Sequence, residues 1–138
     1  MSISMSLIYP ALAQILLTFV IMVLMGSARV RALKERQVKI SDIALSGDAF
    51  PDKARQVANN FTNQFETPVL FFALVLIAIY VGATGRVMAF LAWGFIASRL
   101  AHAYVHITSN NVRLRFNVYL AGIAALALMW IIIVIELL

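Results

Sequence analysis

The feature that most constrains this chain is where its charges are missing. No Asp, Glu, Lys or Arg occurs from Met1 to Ala28, from Thr67 to Gly85, or from Phe116 to Ile135, and Arg99 stands alone between Val87 and Asn111. About 20 predominantly apolar residues suffice to cross the ~30 Å hydrocarbon layer of a bilayer. Four spans follow, at roughly residues 6–30, 53–81, 87–107 and 115–137. Composition agrees: 63% of the 138 residues are hydrophobic and 12% charged, against about 45–50% and about 25% in soluble domains. The first run lacks the basic n-region of a signal peptide and exceeds the usual h-region, so it reads as a retained helix.

The net charge of +5 sets topology and does not indicate a nucleic-acid partner. Arg29, Arg31, Lys34, Arg36, Lys39, Lys53 and Arg55 flank or fill the first connection, and Arg113 and Arg115 mark the third, whereas the second carries only Arg86. By the positive-inside rule the first and third connections face the cytoplasm and both termini lie on the other side. Short connections imply an all-α, antiparallel four-transmembrane-helix bundle, a single membrane domain over residues 1–138. The apolar first span and the absence of an organelle signal lead us to expect a bacterial inner membrane. There is no cysteine, which excludes disulfides and a thiol nucleophile of the chain's own.

Polar residues cluster where the second and third spans approach the basic side. Arg55, Asn59, Asn63 and Glu66 are spaced 4, 4 and 3 apart and share one helical face roughly 16 Å long, with Asp52 as the expected N-cap. Glu66 intrudes into the apolar region, where an ionisable side chain needs a partner or a cavity. On the third span, Arg99, His102 and His106 also share a face, and Arg99 should lie at the depth of Glu66. We expect an ion pair between them, with Pro68 kinking the helix beside it by deleting the bond to the Gln64 carbonyl. His102 and His106 have metal-ligand spacing, but no HExxH accompanies them and Arg99 claims the nearby carboxylate, so no metal site is expected. The simplest alternative is that these groups only lock helices together.

Asn63, Glu66 and Pro68, followed by Arg99 and His102 in the third span and by arginine entering the fourth, together resemble the MAPEG family, membrane-associated proteins in eicosanoid and glutathione metabolism. The resemblance covers essentially the whole chain. It implies a homotrimer that binds glutathione near the cytoplasmic face and adds its thiol to a hydrophobic small-molecule substrate, as a transferase or peroxidase. Residue by residue, it implies glutathione contacts from Arg29 or Arg31, Asn63, Glu66, Arg99 and His102. Arg55, Asn59 and His106 belong to the same polar set. The thiolate-stabilising catalytic arginine is Arg115 or Arg113; Arg115 fits the transferase spacing, seven residues before Gly122. The chain departs from the family pattern at Asn59, where arginine is usual, and at His106, where tyrosine is frequent. Those departures favour the competing reading, a non-catalytic membrane binding or scaffold protein that retains the fold.

Overall fold

In the computed structural model, which describes residues 5–138, helices are the regular secondary structure of the described residues. Residues 1–4 of the expected domain lie outside the described residues. Helix α1 is Met5–Lys34, α2 Asp52–Thr62, α3 Thr67–Val81, α4 Arg86–Ile107 and α5 Val112–Leu137. Helices α2 and α3 together form one span, Asp52–Val81, so that four spans of 30, 30, 22 and 26 residues are each long and apolar enough to cross a membrane. Leu7, Ala78, Met88 and Ile133 meet in one core cluster at the end of the bundle away from the basic connections. At the other end Ala32 packs with Ala54, and Lys53 Nζ donates to the Ile107 carbonyl. Successive spans therefore run antiparallel. Their outer faces carry large apolar side chains such as Leu16, Phe19, Tyr80 and Phe90, as a lipid solvent requires.

Each end of the spans has a local cause. Helix α1 runs one turn beyond the expected Val30 and stops where Arg36 takes a left-handed φ of 54°. The Gln37 N–H then closes on the Ala32 carbonyl at 3.0 Å, a helix-ending arrangement more often built on glycine. The following loop, which includes a 3₁₀ turn at Ile40–Ile43, folds back because Val38 and Phe50 bury themselves against Ala32 and Ala54. Gly82, at φ 83°, ends α3. Asn111 caps α5 by accepting from Leu114 N–H at 3.1 Å. Asp52 is not the cap of α2: Pro51 holds that position without a side-chain bond, and the Asp52 carboxylate instead lies 3.6 Å from Arg55.

The second span is interrupted more deeply than a proline kink requires. Asn63–Phe65 tighten into a 3₁₀ turn and Glu66, at φ −94° and ψ −102°, leaves the helical region altogether before α3 restarts at Thr67. Pro68 falls in the first turn of α3, where its missing N–H leaves no bond unmade. A buried amide relay braces this break. Gln14 of α1 donates to Gln64 Oε1 at 3.0 Å, Gln64 donates to the carbonyl and side-chain oxygens of Asn60 at 3.0 and 3.3 Å, and Asn60 donates to the Ala103 carbonyl of α4 at 3.3 Å. Three elements are thereby joined by side chains that hydrocarbon could not otherwise accommodate.

Helices α4 and α5 approach closely where a glycine permits it. A Cβ placed on Gly122 would meet Ser98 Oγ at 2.5 Å, and that hydroxyl is already committed to the Phe95 carbonyl at 2.7 Å. Gly122→Ala should cost about 1–3 kcal/mol through overpacking, read by chemical unfolding in mixed micelles, and Ser98→Ala should relieve most of it. An equal cost in both backgrounds would show that this contact does not limit the approach. Gln64→Leu should cost about 2–3 kcal/mol by orphaning buried amides. The double variant Gln14→Leu/Gln64→Leu should lose less than the sum, and strict additivity would refute the relay.

Candidate functional site

The site is built around the break in the second span, where a buried arginine of α4 reaches its backbone. The Asn63 carbonyl, at the start of the 3₁₀ turn, accepts a hydrogen bond from Arg99 Nη2 at 3.1 Å. Arg99 is 2% exposed, and its Nε and Nη1 have no partner. The expected Glu66–Arg99 ion pair does not form: the ion pairs among the described residues are Arg31–Glu35 and Arg55–Asp52. Arg99 spends its one hydrogen bond on the backbone of the break, while Glu66 turns toward Asn63. With its nitrogen directed at Glu66, the Asn63 amide donates at 3.2 Å to both carboxylate oxygens. In the opposite orientation that nitrogen lies 3.4 Å from His106 Nδ1. The Asn63 amide nitrogen thus meets the Glu66 carboxylate in one orientation and the His106 imidazole in the other.

These groups face a polar cavity of about 490 Å³ between the second span and the α4–α5 turn, lined by Asn59, Asn63, Glu66, His106, Asn110 and Arg115, with Gln56, Thr62 and Val112. Gln56 fixes one wall by donating to the His106 carbonyl. A second cavity of about 330 Å³ shares Asn63, Glu66, Val112 and Arg115 and extends past His102 and Phe116 to Tyr119. The His102 ring lies 5.7 Å from that of His106 and 5.9 Å from that of Tyr119, and its Nδ1 is buried without a partner. Tyr119 also opens a third space, about 550 Å³ and almost wholly apolar, running between α3 and α5 past Leu70, Leu74, Ile123 and Leu126 to Trp130. The second cavity, which shares Glu66 and Arg115 with the polar one, and the apolar groove therefore meet at Tyr119.

The electrostatics favour an anion in the polar chamber. Arg115 sits near the start of α5, whose first turn has no acidic residue to balance the positive end of the helix dipole. Its guanidinium donates to Asn110 Oδ1 at 2.6 Å. Arg115 can there hold an anionic group and favour ionisation of an acidic one, whereas buried Arg99 lines neither cavity. Among the described residues no group of three or more His, Cys, Asp or Glu side chains could hold a metal ion.

Other residues named from the sequence lie elsewhere. Arg55 turns outward to Asp52, so the predicted four-residue stripe contributes three of its members to the cavity. Arg113 is exposed and lines neither chamber. Arg29 stacks its guanidinium 5.3 Å from the centre of the Phe50 ring. Arg31 bonds Glu35 at 2.7 Å and lines a separate cavity of about 470 Å³ between α1 and the start of α2. Sequence reasoning missed the relay of Gln14, Asn60 and Gln64, as well as Asn110 and Tyr119. An apolar span containing Gln14 was a signal that could have been read. Tyr119 gives no such signal, because aromatic residues are common in any membrane helix.

Comparison with known proteins agrees with this architecture. No curated protein and no solved structure matches the chain. The profile of the MAPEG family matches residues 7–135, nearly its whole length. With four helices of membrane-spanning length and composition, the chain is a multi-pass integral membrane protein and belongs to the MAPEG family.

Proposed function

We propose that this protein is a glutathione-dependent transferase or peroxidase acting on lipophilic electrophiles or lipid hydroperoxides, with its basic end toward the cytoplasm. The observation that carries the reading is the junction at Tyr119 between an apolar groove and a cavity lined by Glu66, His102 and Arg115 that adjoins the polar chamber. Such a junction lets a water-soluble ligand and a bilayer-soluble one approach each other. The residues lining the cavity suit glutathione's chemistry: Arg115 matches a carboxylate, and Glu66, oriented by Asn63, matches its ammonium. When bound, glutathione supplies the thiol that a cysteine-free chain lacks. The chain's part is electrostatic. A guanidinium beside a thiol favours the thiolate and stabilises negative charge as it develops, and the groove excludes water from the lipophilic partner.

A homotrimer belongs to the same reading. Within one chain, the cavity lined by Arg31 and the one lined by Arg115 share no residue, so a helix-α1 arginine could join Arg115 around one ligand only from a neighbouring copy. The competing reading, a non-catalytic binding or scaffold protein, is favoured by a specific observation: Asn59 lines the polar chamber as a neutral side chain, where a second cation would hold a carboxylate in a bidentate grip.

Millimolar glutathione should raise the melting temperature of the detergent-solubilised protein by several degrees, since a ligand specific for the folded state stabilises it by mass action; an unmoved curve would end the enzymatic reading. Arg115→Ala should lower conjugation of a lipophilic electrophile by about 100-fold or more with oligomeric size unchanged, while Arg113→Ala should cost less than about threefold. A reversed pattern would transfer the thiolate-stabilising role to Arg113. Under the scaffold reading, glutathione leaves the wild-type curve unmoved and Asn59→Arg creates binding.

A further inference from the structure

One residue of the α4–α5 turn has two duties. Asn110 has a left-handed backbone, φ 50°, a conformation that asparagine and glycine tolerate better than other residues. Its N–H closes the end of α4 on the Val105 carbonyl at 2.8 Å. This conformation reverses the chain so that α5 can start at Val112, capped by Asn111. The Asn110 side chain lines the polar chamber, and its Oδ1 accepts from Arg115 Nη1 at 2.6 Å. Among the described residues this is the one hydrogen bond the Arg115 guanidinium makes to the protein, and no carboxylate pairs with it.

An arginine side chain is long and rotamer-rich, so a guanidinium at a chamber wall has many ways to point. A single short, charge-assisted hydrogen bond from a residue whose own backbone is fixed by the turn narrows them. The acceptor is neutral. A carboxylate in its place would hold the guanidinium equally well but offset its charge, weakening the field that a bound anion experiences. A neutral acceptor orients the cation and leaves that charge available.

We propose that Asn110 is a positioning residue that aims the Arg115 guanidinium into the polar chamber while leaving its charge uncompensated. The inference rests on the proposed glutathione reaction for its catalytic consequence, though its structural content stands apart from it. The charged and titratable groups around Arg115 are Glu66 from the second span, Arg99, His102 and His106 from α4, and Tyr119 from α5 itself.

The test uses full-length protein, wild type, Asn110→Gly and Asn110→Asp. Glycine keeps the left-handed turn and removes the acceptor, whereas aspartate keeps the acceptor and adds charge. The first readout needs no ligand: phenylglyoxal modification of Arg115 is followed by mass spectrometry, with exposed Arg113 as internal reference. Arg115 should react several-fold more slowly than Arg113 in wild type and in Asn110→Asp, and the difference should narrow in Asn110→Gly to what the half-burial of Arg115 alone imposes. Equal ratios in wild type and Asn110→Gly would overturn the positioning role. The second readout is conjugation with glutathione across pH. Asn110→Gly should lower kcat roughly tenfold or more, the scale of one charge-assisted hydrogen bond, with the KM for glutathione changed less than about threefold. Asn110→Asp should recover most of kcat at high pH but move the pH–rate profile upward, because its carboxylate opposes thiolate formation. A turn-forming role alone would move neither kcat in the glycine variant nor the profile in the aspartate variant, and that result also refutes the proposal. If wild type neither binds nor conjugates glutathione, the proposed activity fails while the modification ratio still decides whether Asn110 places Arg115.

Discussion

Hydrocarbon provides no hydrogen-bond partners, and the organisation of this bundle follows from how the chain meets that constraint at the break in its second span. Interrupting a transmembrane helix frees backbone groups that water would satisfy at a soluble protein's surface but lipid cannot. Here Arg99 donates to the Asn63 carbonyl of the 3₁₀ turn, and the residues of the break are tied to α1 and α4 through Gln14, Gln64 and Asn60. The buried arginine and the broken helix therefore answer each other. Either alone would leave polar groups stranded in an apolar interior.

That exchange also determines what remains for function. A Glu66–Arg99 ion pair would have neutralised both charges inside the bundle. Since Arg99 is spent on a carbonyl instead, Glu66 stays with Asn63 at the wall of a polar chamber and two Arg99 donor groups stay unpartnered. Arg115 adds a cation at the start of a helix whose dipole already favours anions there. The chamber's character thus comes from charges that the fold declines to pair with each other.

Much of this organisation could be read from residue order. The charge-free runs define the spans because a charged side chain in hydrocarbon is costly. The spacing of Asn59, Asn63 and Glu66, and of His102 and His106, places them on common helical faces that the folded chain brings to two adjoining cavities. The reading failed where distance in space, not spacing in sequence, decides. Arg55 lies on the same idealised stripe, but Asp52 one turn away holds it outside. Arg113 and Arg115 are two residues apart, so they point to different sides of α5, and spacing from the previous helix could not tell which side faces the chamber.

By itself the sequence determined the four-span helical architecture, the membrane as solvent and the family, because hydrophobic length and charge placement act locally and hydrocarbon enforces them without regard to detail. Tertiary structure alone decided which polar groups answer which. Gln14 meets Gln64 across 50 positions of sequence, Arg99 bonds a backbone carbonyl at an irregularity no helical template contains, and Tyr119 joins the cavity beside the polar chamber to an apolar groove because α5 packs against both α3 and α4. Such pairings depend on helix rotation and depth to within a hydrogen-bond length, a precision that periodicity in a sequence does not carry.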